Sequence, residues 1–148
     1  FGVLLMGNFK KSWQTETGLN NVPSYQVSGT PFASGSINAA PGAGTTAVEV
    51  PFPQVTRWVQ VINHGTGSVR VGFSKNGTEG RQYFRVHASG SAAGQGQSPS
   101  SGRLELKVSE LWLLGSDNVD VVAGLTSIAP ARLNTDSGTS WSGSVGVG

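Results

Sequence analysis

The chain has 148 residues, and only 12% of them are charged, about half of the ~25% that is usual in a soluble domain. The formal net charge is +2, and the basic residues are scattered, with Lys10 and Lys11 as the one adjacent pair, which argues against a clustered nucleic-acid-binding surface. The lack of cysteine excludes disulfide bonds, Cys-ligated zinc and thiol catalysis. The length fits one domain, and low charge beside 22 glycines predicts a surface that neighbouring subunits cover in an assembly.

The first 45 residues are expected to form an extended N-terminal arm. Short apolar patches are broken there by Gly, Pro and Asn without a helical period, and only residues 25–28 favour a strand. The apolar opening is six residues long, far short of the ~20 that span a bilayer, so no membrane span is expected. It lacks a signal-peptide cleavage site, and the chain begins without methionine, which leaves a removed upstream segment open.

The folded domain is assigned to residues 46–128, where apolar and polar residues alternate as they do in strands. The first strand is predicted around Glu49, over residues 48–52, and its prolines favour a sheet edge or corner. Three further strands are expected to form an antiparallel meander, and Asn-Gly at positions 76 and 77 predicts a type I′ hairpin turn between the last two. These strands cover residues 57–62, 69–73 and 81–86.

Residues 88–102 contain no charge and predict a long loop, either mobile or in contact with a neighbour. The alternation that follows reverses its phase, which predicts a bulge or break near Ser109 and Glu110. A last strand is expected over residues 119–125, and residues 129–148 form a Gly/Ser-rich C-terminal tail. About eight short strands without a convincing α-helix predict an all-β sandwich or barrel.

The residues do not predict catalysis, so we expect no enzyme and no cofactor. His64 and His87 are the only histidines, and neither has a carboxylate or nucleophile at a spacing typical of an active site. Residue order alone leaves a Ser-His-Asp site open, but the chain has no Gly-x-Ser-x-Gly elbow. Asp117, Asn118 and Asp120 are weak candidates for calcium ligands, although such residues also form hairpin turns without a metal.

Tryptophans and the terminal segments suggest where contacts form. Trp58 and Trp112 are interpreted as packing inside or between the sheets, whereas Trp141 stands in an uncharged tail and is either an interface anchor or docked on its own domain. Asn76 is a formal N-glycosylation acceptor, which the turn interpretation explains without a sugar. The candidate interface residues are Trp141, Leu133, Val145, Val147, Phe1, Leu4 and Leu5.

Four short motifs between residues 55 and 128 resemble the small single jelly-roll capsid proteins of large icosahedral double-stranded DNA viruses, of the penton or vertex type. They are VTRW at 55–58, VRVGFS at 69–74 followed by Asn-Gly, GRLELK at 102–107 and VAGLT at 122–126. The resemblance implies a jelly-roll sandwich of two four-stranded antiparallel sheets with extended N- and C-terminal arms. It also implies a homo-oligomer, a pentamer by preference, that contacts major and minor capsid proteins at the vertex of a virion. It carries no catalytic residues.

A second hypothesis remains beside this one. A carbohydrate- or receptor-binding β-sandwich module, such as a spike or fibre head, would use Trp58, Tyr83 or the loop at 88–102 as its contact surface. An enzyme is the third alternative, because no nucleophile–base pair or metal cluster is recognisable in the chain.

Overall fold

A computed structural model describes residues 29–40, 46–88 and 99–133, and this part of the chain is mostly β-structure. No helix among the described residues is long and apolar enough to cross a lipid bilayer. The elements are β1 (Thr30–Ile37), β2 (Val48–Pro51), β3 (Thr56–Asn63), β4 (Val69–Gly72), α1 (Lys75–Glu79), β5 (Tyr83–Val86), β6 (Glu110–Leu114), β7 (Val119–Leu125) and a 3-10 turn (Pro130–Arg132).

The strands form two antiparallel sheets. Sheet A has the order β1-β7-β3, and sheet B has the order β2-β6-β4-β5. Residues 99–108 run along the free side of β3 and extend sheet A, through isolated bridges that pair Val59 with Leu104 and Ile62 with Ser100. The backbone N–H of Thr56 donates to the carbonyl oxygen of Val108 at 3.0 Å, near the far end of the same segment. Each sheet therefore has four strand-like members.

One hydrophobic core joins the two sheets, an arrangement consistent with a β-sandwich. Because side chains alternate across a strand, every second residue of β3, β4, β6 and β7 points inward. Burying one such valine or leucine contributes about 1.5–3 kcal/mol relative to leaving it exposed. Phe32 of β1 and Phe52 after β2 also meet across the core, with ring centroids 5.0 Å apart. The central fully buried side chains are Val59, Val61, Val69, Val71, Leu111, Leu113, Val119 and Val121.

Asn63 fastens the β3–β4 turn to the β6–β7 turn. Its side chain is fully buried, and its amide nitrogen donates to the carbonyl oxygens of Gly67 at 2.8 Å and Val86 at 3.2 Å. Its amide oxygen accepts from the backbone N–H of Gly65 at 3.0 Å and from the hydroxyl of Ser116 at 2.7 Å. These four bonds satisfy the amide completely, which removes the penalty for burying a polar group.

Several predicted strands are confirmed. Strand β2 lies at an edge of sheet B, as its prolines predicted, and β7 has the predicted bounds and buries alternate residues. The predicted break at Ser109 and Glu110 is the point where the chain leaves the edge of sheet A and enters sheet B as β6.

The predicted meander is wrong in its first half. Strands β4 and β5 pair as expected, but β3 pairs with β7 in sheet A, whereas β4 pairs with β6 in sheet B. The turn between β3 and β4 therefore crosses from one sheet to the other. Burial of the inward residues of β3 and β4 against each other across the core favours this arrangement over a flat hairpin.

The predicted type I′ turn at Asn76 and Gly77 is also wrong, because these residues lie in the single helical turn α1. The Ser74 hydroxyl caps this turn by accepting from the backbone N–H of Gly77 at 3.0 Å. The Thr78 hydroxyl donates to the carbonyl oxygen of Ser74 at 2.7 Å. A good N-cap followed by these bonds stabilises helical geometry where Asn-Gly alone favours a hairpin.

Strand β1 lies within the segment that the sequence assigned to an N-terminal arm. It pairs with β7 along residues 30–37, so sheet A begins before residue 46. A register shift between Ser34 and Ile37, with Ser36 at φ 55°, lets both Phe32 and Ile37 pack against the core. Because this bulge interrupts the alternation of inward and outward residues, the sequence pattern does not predict the strand.

Candidate functional site

The outer face of sheet B carries acidic residues on one side and basic residues on the other. Val50, Leu111, Val71 and Val86 point into the core, so the residues that alternate with them face outward. On β2 and β6 these outward residues are Glu49, Glu110 and Trp112; on β4 and β5 they are Arg70, Tyr83 and Arg85.

We call Glu49 and Glu110 the acidic edge. Cross-strand pairing sets Glu49 opposite Trp112, and Pro51 opposite Glu110. The pKa of Glu110 is raised from 4.5 to about 7, chiefly because burial disfavours the charged carboxylate, and the neighbouring carboxylate of Glu49 acts in the same direction. The Trp112 indole acts against this rise. The acidic edge therefore favours a protonated Glu110 up to near-neutral pH.

Two polar atoms beside this pair are buried without a hydrogen-bond partner among the described residues. They are Oε1 of Glu110 and Nε1 of Trp112. Glu110 and Trp112 stand two residues apart on the outer face of β6, and the indole N–H favours the ionised carboxylate and so opposes the rise in the pKa of Glu110.

We call Arg70, Tyr83 and Arg85 the basic edge. Arg70 and Arg85 are direct cross-strand partners, and their guanidinium carbons lie 4.5 and 5.4 Å from the centroid of the Tyr83 ring. Arg85 Nη2 also donates to the Tyr83 hydroxyl at 3.2 Å. Like charges placed opposite each other destabilise a strand pair, and the shared aromatic ring offsets part of this cost. Neither arginine forms a salt bridge with a carboxylate among the described residues.

The charges on the outer side of sheet A are arranged differently, because acidic and basic groups are in direct contact there. Glu105 forms salt bridges with Arg57 and with Arg103, the second at 2.8 Å between Nε and Oε1. The Arg103 guanidinium lies 5.5 Å from the centroid of the Trp58 ring. Sheet B therefore presents a charge-separated face, whereas on sheet A one carboxylate lies between two guanidinium groups.

Trp58 and Trp112 are half-buried on the outer faces of sheets A and B, respectively. The prediction that they pack inside or between the sheets is therefore corrected, because neither belongs to the core that the sheets share. Inward positions on these strands are occupied by Val59 and Val61 on β3 and by Leu111 and Leu113 on β6.

His64 has a carboxylate partner that the sequence did not reveal. Its Nε2 lies 3.1 Å from Oδ2 of Asp120, and Oδ1 of Asp120 accepts from the backbone N–H of Ser36 at 2.8 Å. The nearby Ser116 hydroxyl donates to Asn63 instead of to the imidazole. The contact links the β3–β4 turn to β7 and β1. It arises because β3 pairs with β7 in sheet A, and the spacing of these residues along the chain does not predict that pairing.

The calcium candidates lie at this end of sheet A, around the β6–β7 turn. Both carboxylate oxygens of Asp120 are occupied by Ser36 and His64, and the backbone carbonyl of Asn118 accepts from the N–H of His64 at 2.9 Å. Asp117 is exposed. Across the described ranges, no three His, Cys, Asp or Glu side chains come together in a way that could hold a metal ion.

Most of the candidate interface residues fall outside the described residues. Leu133 is half-buried at the end of the 3-10 turn, where its N–H donates to the carbonyl oxygen of Pro130 at 3.0 Å. The predicted strand at 25–28 and most of the loop at 88–102 also lie outside the described ranges. The same is true of Trp141, Val145, Val147, Phe1, Leu4 and Leu5.

The acidic and basic edges were missed as a unit by sequence reasoning, although Glu49, Arg70 and Arg85 occupy polar positions in predicted strands. Alternation identifies those positions as outward-facing but not as neighbours. Comparison with protein families, with curated proteins and with solved structures finds no match to this chain.

Proposed function

We propose that this chain is a structural virion protein, a penton or vertex capsid subunit with a single jelly-roll fold that forms a ring of five and contacts major and minor capsid proteins. The strand pairing carries the proposal. When residues 99–108 are counted as a strand, β1 to β5 keep their numbers, residues 99–108 become the sixth strand, and β6 and β7 become the seventh and the eighth. In this count the strand order is 1-8-3-6 in sheet A and 2-7-4-5 in sheet B. The first strand then pairs with the eighth, the second with the seventh, the third with the sixth and the fourth with the fifth.

This nested pairing is that of one long hairpin wound around a core. It gives two four-stranded antiparallel layers whose neighbours come from distant parts of the chain, which is the plan of the double-sheet jelly rolls in viral capsid and lectin domains. A sandwich built only from consecutive hairpins would instead pair each strand with the next one. The pairing therefore supports the jelly-roll class over simpler sandwiches, and the low charge of the chain is what favours the capsid role within that class.

The case for a ring comes from the surface. Residues 88–102 and 137–148 contain no charged residue, which favours cover by neighbouring subunits over exposure to water. A ring of identical subunits makes heterologous contacts, so each subunit must present two different surfaces that fit each other. The charge-separated face of sheet B offers surfaces of this kind.

Native mass spectrometry of the full chain tests the proposal. A mass of five subunits is the expected result. A monomer at every concentration up to the solubility limit would contradict the proposal, and a trimer would favour a spike or fibre head instead. Removal of residues 134–148 leaves the described sandwich intact and should weaken the ring, while circular dichroism retains the β-spectrum.

A carbohydrate- or receptor-binding module is the second candidate. It is favoured by one observation: Trp58 lies on an outer face, half-buried, with the Arg103 guanidinium beside its ring. Aromatic rings on rigid strands provide contact area at low entropic cost. Saturable binding on a glycan array that is lost in Trp58→Ala would support this function, and an array without binding would exclude glycans from it.

A further inference from the structure

We propose that the acidic edge of one copy docks against the basic edge of the next copy, so that sheet B supplies both complementary surfaces of the ring. This inference rests on the proposed ring and names the contact that would close it. The partner is a second copy of this chain, and charge complementarity identifies it.

The two edges cannot neutralise each other within one subunit. Strands β2 and β5 are the outer strands of sheet B and are separated by three strand spacings, roughly 14 Å at about 4.8 Å each. Arg70 and Glu110 lie on the two inner strands of sheet B, β4 and β6. Arg70 pairs with Leu114, which is four residues, or about 13 Å, along β6 from Glu110. At such distances exposed charges are largely screened, because the Debye length is ~8 Å in physiological salt.

The basic edge lacks a carboxylate partner and the acidic edge lacks a cation, so each edge can supply the group that the other lacks. Arg70 and Arg85 face each other across the strand pair without a carboxylate among the described residues, although a planar guanidinium is best satisfied by a carboxylate that accepts two hydrogen bonds. The acidic edge in turn holds two carboxyl groups whose charges repel each other, and this repulsion contributes to the raised pKa of Glu110. A guanidinium brought between them would offset the repulsion and favour the ionised form of Glu110.

The positions of the edges suit a head-to-tail contact. Strands β2 and β5 lie on opposite sides of sheet B, so one copy can contact one neighbour through its acidic edge and another through its basic edge. A closed ring requires this, because every subunit takes both roles. On sheet A, by contrast, the carboxylate of Glu105 already has two cationic partners within the chain.

Charge reversal on the full-length protein tests the contact. Glu49→Lys and Arg85→Glu should each raise the dissociation constant of the assembly roughly tenfold or more, as reversal of a close interfacial charge does. The double variant E49K/R85E restores opposite charges at every contact and should recover most of the lost affinity. Asp117→Lys is the matched control, because it makes the same change of charge at an exposed turn outside both edges and should assemble like the wild type.

Native mass spectrometry and light scattering over a concentration series provide the measurement, and circular dichroism checks that each variant is folded. Two single variants that weaken assembly and a double variant that recovers it support the proposal, whatever the subunit number. A wild-type pentamer with single variants that assemble normally would overturn the contact and leave the ring standing. Weakening without recovery in the double variant would also overturn the pairing of these edges. A wild type that stays monomeric would overturn both the ring and the contact.

Discussion

Glu110 should make the stability of the protein fall as the pH rises from about 4.5 to about 7. Its folded pKa of about 7 lies above its ordinary value of 4.5, so folding favours the protonated form. The contribution of this group to the free energy of unfolding is complete below about pH 4.5 and is lost between that pH and about 7, as the unfolded chain ionises first. Glu110→Gln, which cannot ionise, should remove this loss.

The size of the effect follows from the two pKa values. At about 1.4 kcal/mol for each pH unit, the difference of about 2.5 units sets a ceiling of about 3.5 kcal/mol. The Glu110 side chain keeps part of its exposure, so solvent screening reduces this figure, and we expect about 1 kcal/mol. The difference in unfolding free energy between Glu110→Gln and the wild type should therefore shift by that amount, in favour of the variant, from pH 5 to pH 8.

Urea unfolding at a protein concentration low enough to keep the chain monomeric, followed by circular dichroism at both pH values, measures this shift. The comparison uses the change in the difference between variant and wild type, so the titration of other groups cancels. Asp117→Asn is the control, since this carboxylate is exposed, and its difference from the wild type should be the same at both pH values. A difference for Glu110→Gln that does not change with pH would refute the raised pKa of Glu110 and the reasoning from its burial.

Three further substitutions test the fold. Leu111→Ala removes a fully buried side chain from the core and should lower the free energy of unfolding by about 2–5 kcal/mol in urea titrations, with the β-spectrum preserved. Asn63→Ala leaves the Ser116 hydroxyl and several backbone groups without their partner, so we expect a loss of about 3 kcal/mol in the same assay; a loss below about 1 kcal/mol would contradict its role in joining the two turns. Ser74→Ala removes the cap that accepts from Gly77 and should lower the thermal midpoint through a loss of about 1 kcal/mol, whereas Ser74→Thr should retain most of the stability.

Strand positions were largely predictable because the period of two is a local property of the chain. The alternation around Glu49 and over residues 119–125 places β2 and β7 almost as they are found. Near Ser109 the alternation of apolar and polar residues shifts by one position. This shift coincides with the point where the chain passes from sheet A to sheet B, because the two sheets bury opposite faces of the chain. Where a local feature disturbs the period, the prediction fails, as it does for β1 with its bulge at Ser36 and for the capped turn α1.

Strand partners and the charge-separated face could not be predicted in the same way. Whether β3 pairs with β4 or with β7 depends on which apolar faces bury each other, and this is a property of the whole core. Arg70 and Arg85 become neighbours only through the register of β4 and β5, and Glu49 reaches Glu110 only through β2 and β6. The sequence by itself determined an all-β chain with few charges, where most of its strands lie and that Glu49 and Arg70 face outward. Only the tertiary structure decided the order of those strands and separated the charges of sheet B, because pairing and burial are settled between residues far apart in the chain.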